Sequence, residues 1–259
     1  MARKCALKAL KLDNSLSEAH VLMGNLYFWH EWNWQEAENE LSLAVKLNPD
    51  YYMAHWVFAE LLDVLGKRRE ARSHINRALE LDPVFYFPYS TSGMLYYNDG
   101  NFKKTVEEEK KALELNPDYI EPYDRIWKSY FHMDSITRAI QNLQLLTHSI
   151  DVRYKTNMDS GDSINFYFEE NGMTGVLQWL SSYFYYKRSP AILIMSGQKE
   201  KALKLMEKQL EMHDRDLVRT ISVYDYKYLR SEPRYLEIVR KMGLMDYYTK
   251  ALASGELPQ

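Results

Sequence analysis

Apolar residues return along this chain with a helical period, and the pattern restarts at a fixed distance. Residues 199–213 (KEKALKLMEKQLEMH) read as an amphipathic helix, and 173–187 (MTGVLQWLSSYFYYK) carries Leu177, Leu180 and Phe184 at helical spacing. In the first 150 residues one phrase recurs: AVKLNPD at 44–50, ALELDPV at 78–84 and ALELNPD at 112–118. Pro49, Pro83 and Pro117 are 34 residues apart, and so are Ala37, Ala71, Thr105 and Ala139. Ala44, Ala78, Ala112 and Leu146 form a third column in the same register. Several columns in one register predict stacked, near-identical units. Each proline cannot continue a helix and disfavours helical backbone before it, so it separates one unit from the next.

This spacing, with these residue types, resembles the tetratricopeptide repeat (TPR), a helix-turn-helix unit. The small residue of the family's first helix is matched by Gly24, Ala59, Gly93 and Trp127, and the large residue three places on by Tyr27, Leu62, Tyr96 and Tyr130. Small side chains there allow two helices to approach, and large ones fill the adjacent space. The resemblance implies an all-α, right-handed helical-repeat solenoid with a C-terminal helical cap. Four repeats are expected, at 17–51, 52–85, 86–119 and 120–153. Trp127, Thr105 and Glu109 depart from the usual residues, and the first repeat has one extra residue in its turn, His30-Glu31-Trp32-Asn33-Trp34.

Ala2, Ala6 and Ala9 sit where second-helix small residues would fall, so residues 1–16 read as the second helix of a truncated repeat, or else as an N-terminal capping helix. A truncated repeat would leave an apolar face and could self-associate through it. After Ile150 the register fades. Residues 151–163 read as a linker and 164–168 as a short aromatic run. Pro190 begins a short helix that Gly197 ends, and with 199–213 it resembles a degenerate fifth repeat. A last helix is expected at 234–241, ended at Gly243, so 154–259 is read as the degenerate repeat and cap.

Composition narrows the function. With 33 Lys and Arg against 36 Asp and Glu, the net charge of -3 lacks the basic excess of a dedicated nucleic-acid binder, so no direct nucleic-acid contact is expected. One cysteine, Cys5, allows no intramolecular disulfide and reads as a small buried thiol. The longest apolar stretch, 191–195, is too short to span a bilayer, and MARKCALKALKLD has no signal-peptide core, so a cytoplasmic chain with no membrane contact is expected.

Candidate chemistry is sparse. The seven histidines include no HExxH and no i,i+4 pair, so no metal is expected, and the equivalent positions of His20 and His55 suit packing or hydrogen bonding. There is no phosphate loop and no GxSxG elbow, so neither a cofactor nor catalysis is expected. The family resemblance implies instead that the first helices line a concave groove that binds a protein or peptide. Repeat position puts Asn25, Phe28 and Trp29 there, then Met53, Trp56, Glu60 and Asp63, then Phe87, Ser90, Met94, Tyr97 and Asn98, and finally Asp124, Arg125, Lys128, Phe131 and His132. Aromatic and Met side chains on an open face suit peptide recognition, and the chain holds 21 tyrosines. Trp56, Phe87 and Tyr97 are expected near one another. The alternative is a groove filled by the C-terminal helices. Of the Lys/Asn/Arg clamp that some members use for a terminal carboxylate, only Asn25 matches.

The turn 32–38, Ala54-His55-Trp56 and the tail 228–235 together resemble the repeat-containing C-terminal region of bacterial transcriptional activators and other multidomain regulators. That resemblance implies a non-enzymatic interaction or sensor module. The alternatives are the regulatory segment of an adenylate cyclase or Ser/Thr kinase whose catalytic domain lies upstream, or a free-standing scaffold.

Overall fold

The computed structural model describes residues 2–155, 160–183, 185–219 and 222–257. Among them every regular element is helical. Helix α1 (Ala2–Leu12) precedes four antiparallel pairs. These are α2 (Ser17–Leu26) with α3 (Trp34–Leu47), α4 (Tyr52–Val64) with α5 (Arg68–Leu81), α6 (Tyr86–Asn98) with α7 (Phe102–Leu115), and α8 (Glu121–His132) with α9 (Ile136–Tyr154). The pairs stack into an all-α TPR-type solenoid. The small-residue columns explain the close packing: Ala37, Ala71, Thr105 and Ala139 are all fully buried, as are Ala44, Ala78, Ala112 and Leu146. Thr105 fits because its hydroxyl donates to the Asn101 carbonyl (3.2 Å).

The turns within the pairs repeat one geometry. Lys67, Asn101 and Ser135 each donate N–H to the carbonyl five residues back, on Leu62, Tyr96 and Tyr130. Gly66, Gly100 and Asp134 supply the left-handed residue that this closure requires. In the first pair the extra residue is absorbed by a π-helical turn, Tyr27–Glu31. Asn33 then reaches the equivalent Tyr27 carbonyl six residues back (3.0 Å). At the other end of α2, α4 and α6, His20, His55 and Tyr89 bond the carbonyls of Asn14, Pro49 and Pro83, so one side chain ties each of these repeats to its preceding loop.

The two irregular residues of the later repeats have physical accounts. Trp127 is fully buried and belongs to a second core with Leu143, Leu146, Leu177 and Leu180, its indole donating to the Tyr186 hydroxyl (2.9 Å). Its bulk fills the space between the fourth pair and the helix that carries Leu177 and Leu180. Glu109 occupies the column of Leu41, Ile75 and Leu143, fully buried against Arg125, which reaches it from α8.

The C-terminal part keeps the expected helices at Pro190, 199–213 and 234–241 but departs from the reading of a linker. Helix α9 runs on to Tyr154 and α10 (Ser160–Ser182) begins six residues later, so the expected linker is largely helical, and its residues 156–159 lie outside the described residues. Helix α10 breaks at Asn171 and Gly172, and the chain folds back so that a Cβ on Gly175 would meet the Tyr167 carbonyl at 2.5 Å. Phe184 lies outside the described residues. Helices α11 (Pro190–Met195) and α12 (Lys199–Glu211) come next, then two short 3-10 turns (Arg215–Leu217 and Tyr224–Leu229), α13 (Pro233–Lys241) and α14 (Met245–Ala253). The sequence pattern does not anticipate this last helix. The return path joins the first two pairs in one core: Phe28, Trp34 and Leu62 share it with Tyr235, Val239, Met242 and Tyr248. Ala251 and Tyr224 sit against Gly66 and Gly100, where side chains would crowd them. The returning chain therefore lies along the row of turns that joins first to second helices. Cys5, expected to be buried, is exposed on α1.

Candidate binding groove

The first helices α2, α4, α6 and α8 line a concave face, and the segments 215–219 and 222–229, together called the crossing segment, lie over part of it. Where the segment lies, the groove is filled. Tyr97 donates its hydroxyl to the Asp225 carboxylate (2.9 Å), which also meets His132 Nε2 at 2.9 Å. Burial and the Asp225 charge hold the Tyr97 phenol well above its ordinary pKa, so it remains a donor. Arg68, itself buried, donates to the carbonyls of Asn98 (2.8 Å) and Ser222 (2.6 Å) and pairs with Asp99 (2.9 Å). Asn98 donates to Asp63 (2.9 Å). These bonds join α4, α5, α6 and α8 to the crossing segment.

Beyond the segment a cavity of about 520 Å³ remains open. Its apolar wall is formed by Trp29, Met53, Trp56, Phe87, Met94 and Tyr119. Trp56 and Phe87 stack with ring centres 5.1 Å apart, and Phe87 meets Tyr119 edge-on at 5.2 Å. The Trp56 indole N–H is satisfied by the Thr91 hydroxyl (2.8 Å), which fixes the ring's orientation. Asn25, Glu60, Ser90, Glu121 and Arg125 add polar groups, and the crossing segment contributes Arg215, Asp216 and Arg219. Arg219 pairs with Glu60 (2.9 Å), and both Arg215 and Arg219 lie over the Trp29 ring, at 5.5 and 5.3 Å. Arg125 donates to Ser90 (2.5 Å) and to Glu109. Burial raises the Glu109 pKa while Arg125 opposes that rise.

The sequence-based candidates therefore separate. Asn25, Trp29, Met53, Trp56, Glu60, Phe87, Met94 and Arg125 line the open cavity. Tyr97 and Asn98 are buried beneath the crossing segment, so Tyr97 does not join the Trp56–Phe87 stack. Phe28 is fully buried in the main core. Lys128 is buried and paired with Asp124 (2.7 Å), and Phe131 packs against the second and third cores. Arg215, Asp216 and Arg219 escape the sequence reading because they lie outside the repeat register, and no spacing in the sequence links them to the first helices. Among the described residues, no group of three or more His, Cys, Asp or Glu is placed to hold a metal, and no helix is long and apolar enough to cross a membrane.

No family model and no curated protein matches this sequence. Solved structures do match in fold. The crystal structure of MamA is 20% identical over 59% of this chain and 89% of its own, with a TM-score of 0.53. The Cut9 and Hcn1 hetero-tetramer of the APC/C is 14% identical over 95% of this chain and 45% of that one (TM-score 0.56). Pseudomonas aeruginosa pilF is 16% identical over 88% of this chain and 98% of its own (TM-score 0.52). At these identities the likeness concerns the fold, and it agrees with an all-α TPR helical-repeat protein.

Proposed function

We propose that this chain is a non-enzymatic protein-interaction module that holds an extended segment of a partner protein against the open part of its concave face. The observation that carries this reading is the half-buried Trp56–Phe87–Tyr119 wall, which lines an open cavity beside the part of the groove that the chain's own segment fills. Large apolar surface in a concave site favours a ligand that can bury it. The aromatic wall supplies apolar area at low conformational cost, and Asn25, Glu60 and Arg215 supply orientation.

The motif resemblance supports placing this module in a bacterial transcriptional or signalling regulator, where a bound partner would shift an effector between states. The cyclase or kinase alternative assigns the same interaction role to this segment.

Selection of a random dodecapeptide phage library on the immobilised chain tests the groove. Enriched peptides are expected to lose binding at least about tenfold to Trp56→Ala and Phe87→Ala. No enrichment, or enriched peptides indifferent to both substitutions, would overturn the reading.

A further inference from the structure

We infer that the partner segment held in the open cavity carries opposite charges at its two ends. An acidic side chain meets Arg215 beside α2, an apolar middle lies on the Trp56–Phe87–Tyr119 wall, and a basic side chain meets Glu121 at the start of α8. This composition rests on the groove function proposed above, and it also fixes the direction in which the segment lies.

Six charged side chains line the cavity, and four of them are already engaged. Arg219 pairs with Glu60 (2.9 Å), Arg125 with the buried Glu109, and Asp216 with Arg188 (3.7 Å). The other two are Arg215 and Glu121. Both are exposed, and neither has an ion-pair partner among the described residues. Arg215 lies over the Trp29 ring, 5.5 Å from its centre. A guanidinium held on a ring face keeps its N–H edge free, and that edge can hold a carboxylate with two parallel bonds.

The two free charges stand at opposite ends of an aromatic row. Trp29, beneath Arg215, belongs to the π-helical turn after α2. Trp56 on α4 and Phe87 on α6 follow, their ring centres 5.1 Å apart, and Phe87 meets Tyr119 at 5.2 Å. Glu121 is the first residue of α8. The cavity therefore runs from a free cation at the first pair to a free carboxylate at the fourth. A segment laid the other way would set carboxylate against carboxylate and cation against cation, so repulsion selects one direction. Packed helices lie about 8–10 Å apart, so the three steps from α2 to α8 cover about 25–30 Å. An extended chain advances about 3.3 Å per residue and long side chains close the ends, so the two charged residues are expected about six to eight positions apart.

The test uses dodecapeptides selected on the 259-residue chain that lose binding to Trp56→Ala and Phe87→Ala. Their sequences are expected to carry Asp or Glu and Lys or Arg at this spacing, around apolar residues. One such peptide is synthesised with acetylated and amidated ends, so that neither charge is a chain terminus. Arg215→Glu and Glu121→Arg, both at exposed positions, are each expected to weaken it about three- to tenfold. The double variant is expected to prefer, by a similar factor, the same peptide with its acidic and basic residues exchanged, which also shows that the substitutions leave the groove folded. Groove-dependent peptides that lack the two charges, peptides indifferent to both reversals, or a double variant with no preference for the exchanged peptide overturn this inference and leave the groove function standing. A selection that yields no peptide dependent on Trp56 and Phe87 overturns both.

Discussion

Trp34, at the start of α3, donates its indole N–H to the carbonyl of Met242, 2.6 Å away and 208 residues later. The bond is buried and closes the chain on itself, because α13 must reach the first repeat before that carbonyl is available. Trp34→Phe keeps most of the ring volume but strands the Met242 carbonyl, and a loss of about 1 kcal/mol in urea denaturation is expected. Trp34→Ala also opens a cavity between the repeats and the returning helices, and about 3–5 kcal/mol should be lost.

The buried Glu109–Arg125 pair, between the third and fourth repeats, stands at the register positions that Leu41 and Val57 occupy between the first and second. Arg125→Val alone leaves a carboxylate in the core, and a loss of about 3–5 kcal/mol is expected. The double variant Glu109→Leu with Arg125→Val restores the apolar pair found between the first and second repeats. Thermal denaturation should then show most of that loss recovered.

His55 and His74 place their Nδ1 atoms 2.9 Å apart, with His55 Nε2 3.0 Å from the Pro49 carbonyl. One imidazole can donate only if the other accepts, so the pair cannot carry two positive charges at this distance. Burial, reinforced by His55, lowers the His74 pKa from 6.5 to about 4, and burial also lowers that of His55. Between those values the unfolded chain binds more protons than the folded one, so stability falls as pH drops from 6.5 towards 4. Allowing for the partial exposure of His74, the pair's share is about 1–2 kcal/mol. His74→Leu should flatten this part of the stability profile measured by urea titration.

Tyr97 and Trp56 should respond differently to substitution. Tyr97→Phe removes the donor that Asp225 uses inside the fold, and a stability loss of about 1–3 kcal/mol is expected. Peptide binding in the Trp56–Phe87 cavity should change little. Phe87→Ala, on the half-buried cavity wall, should weaken peptide binding at least about tenfold with a smaller shift in melting temperature. Paired measurements of affinity and melting temperature separate the two roles.

The repeated units were legible because their geometry is local. A proline every 34 residues and the columns led by Ala37 and Ala44 dictate which helices can approach, and each column is satisfied by neighbours within about one repeat. The same register brought Trp56, Phe87, Met94 and Arg125 to one concave face. It could not reveal which part of that face stays open. That was decided by contacts far apart in sequence, such as Arg68 with Ser222, Tyr97 with Asp225 and Arg219 with Glu60. Among the described residues, 215–219 and 222–229 have only short 3-10 turns as regular structure and no repeat register, so their path depends on where the folded repeats offer buried partners. Helix periodicity acts through neighbours along the chain, whereas the closure from Trp34 to Met242 exists only after the solenoid has formed.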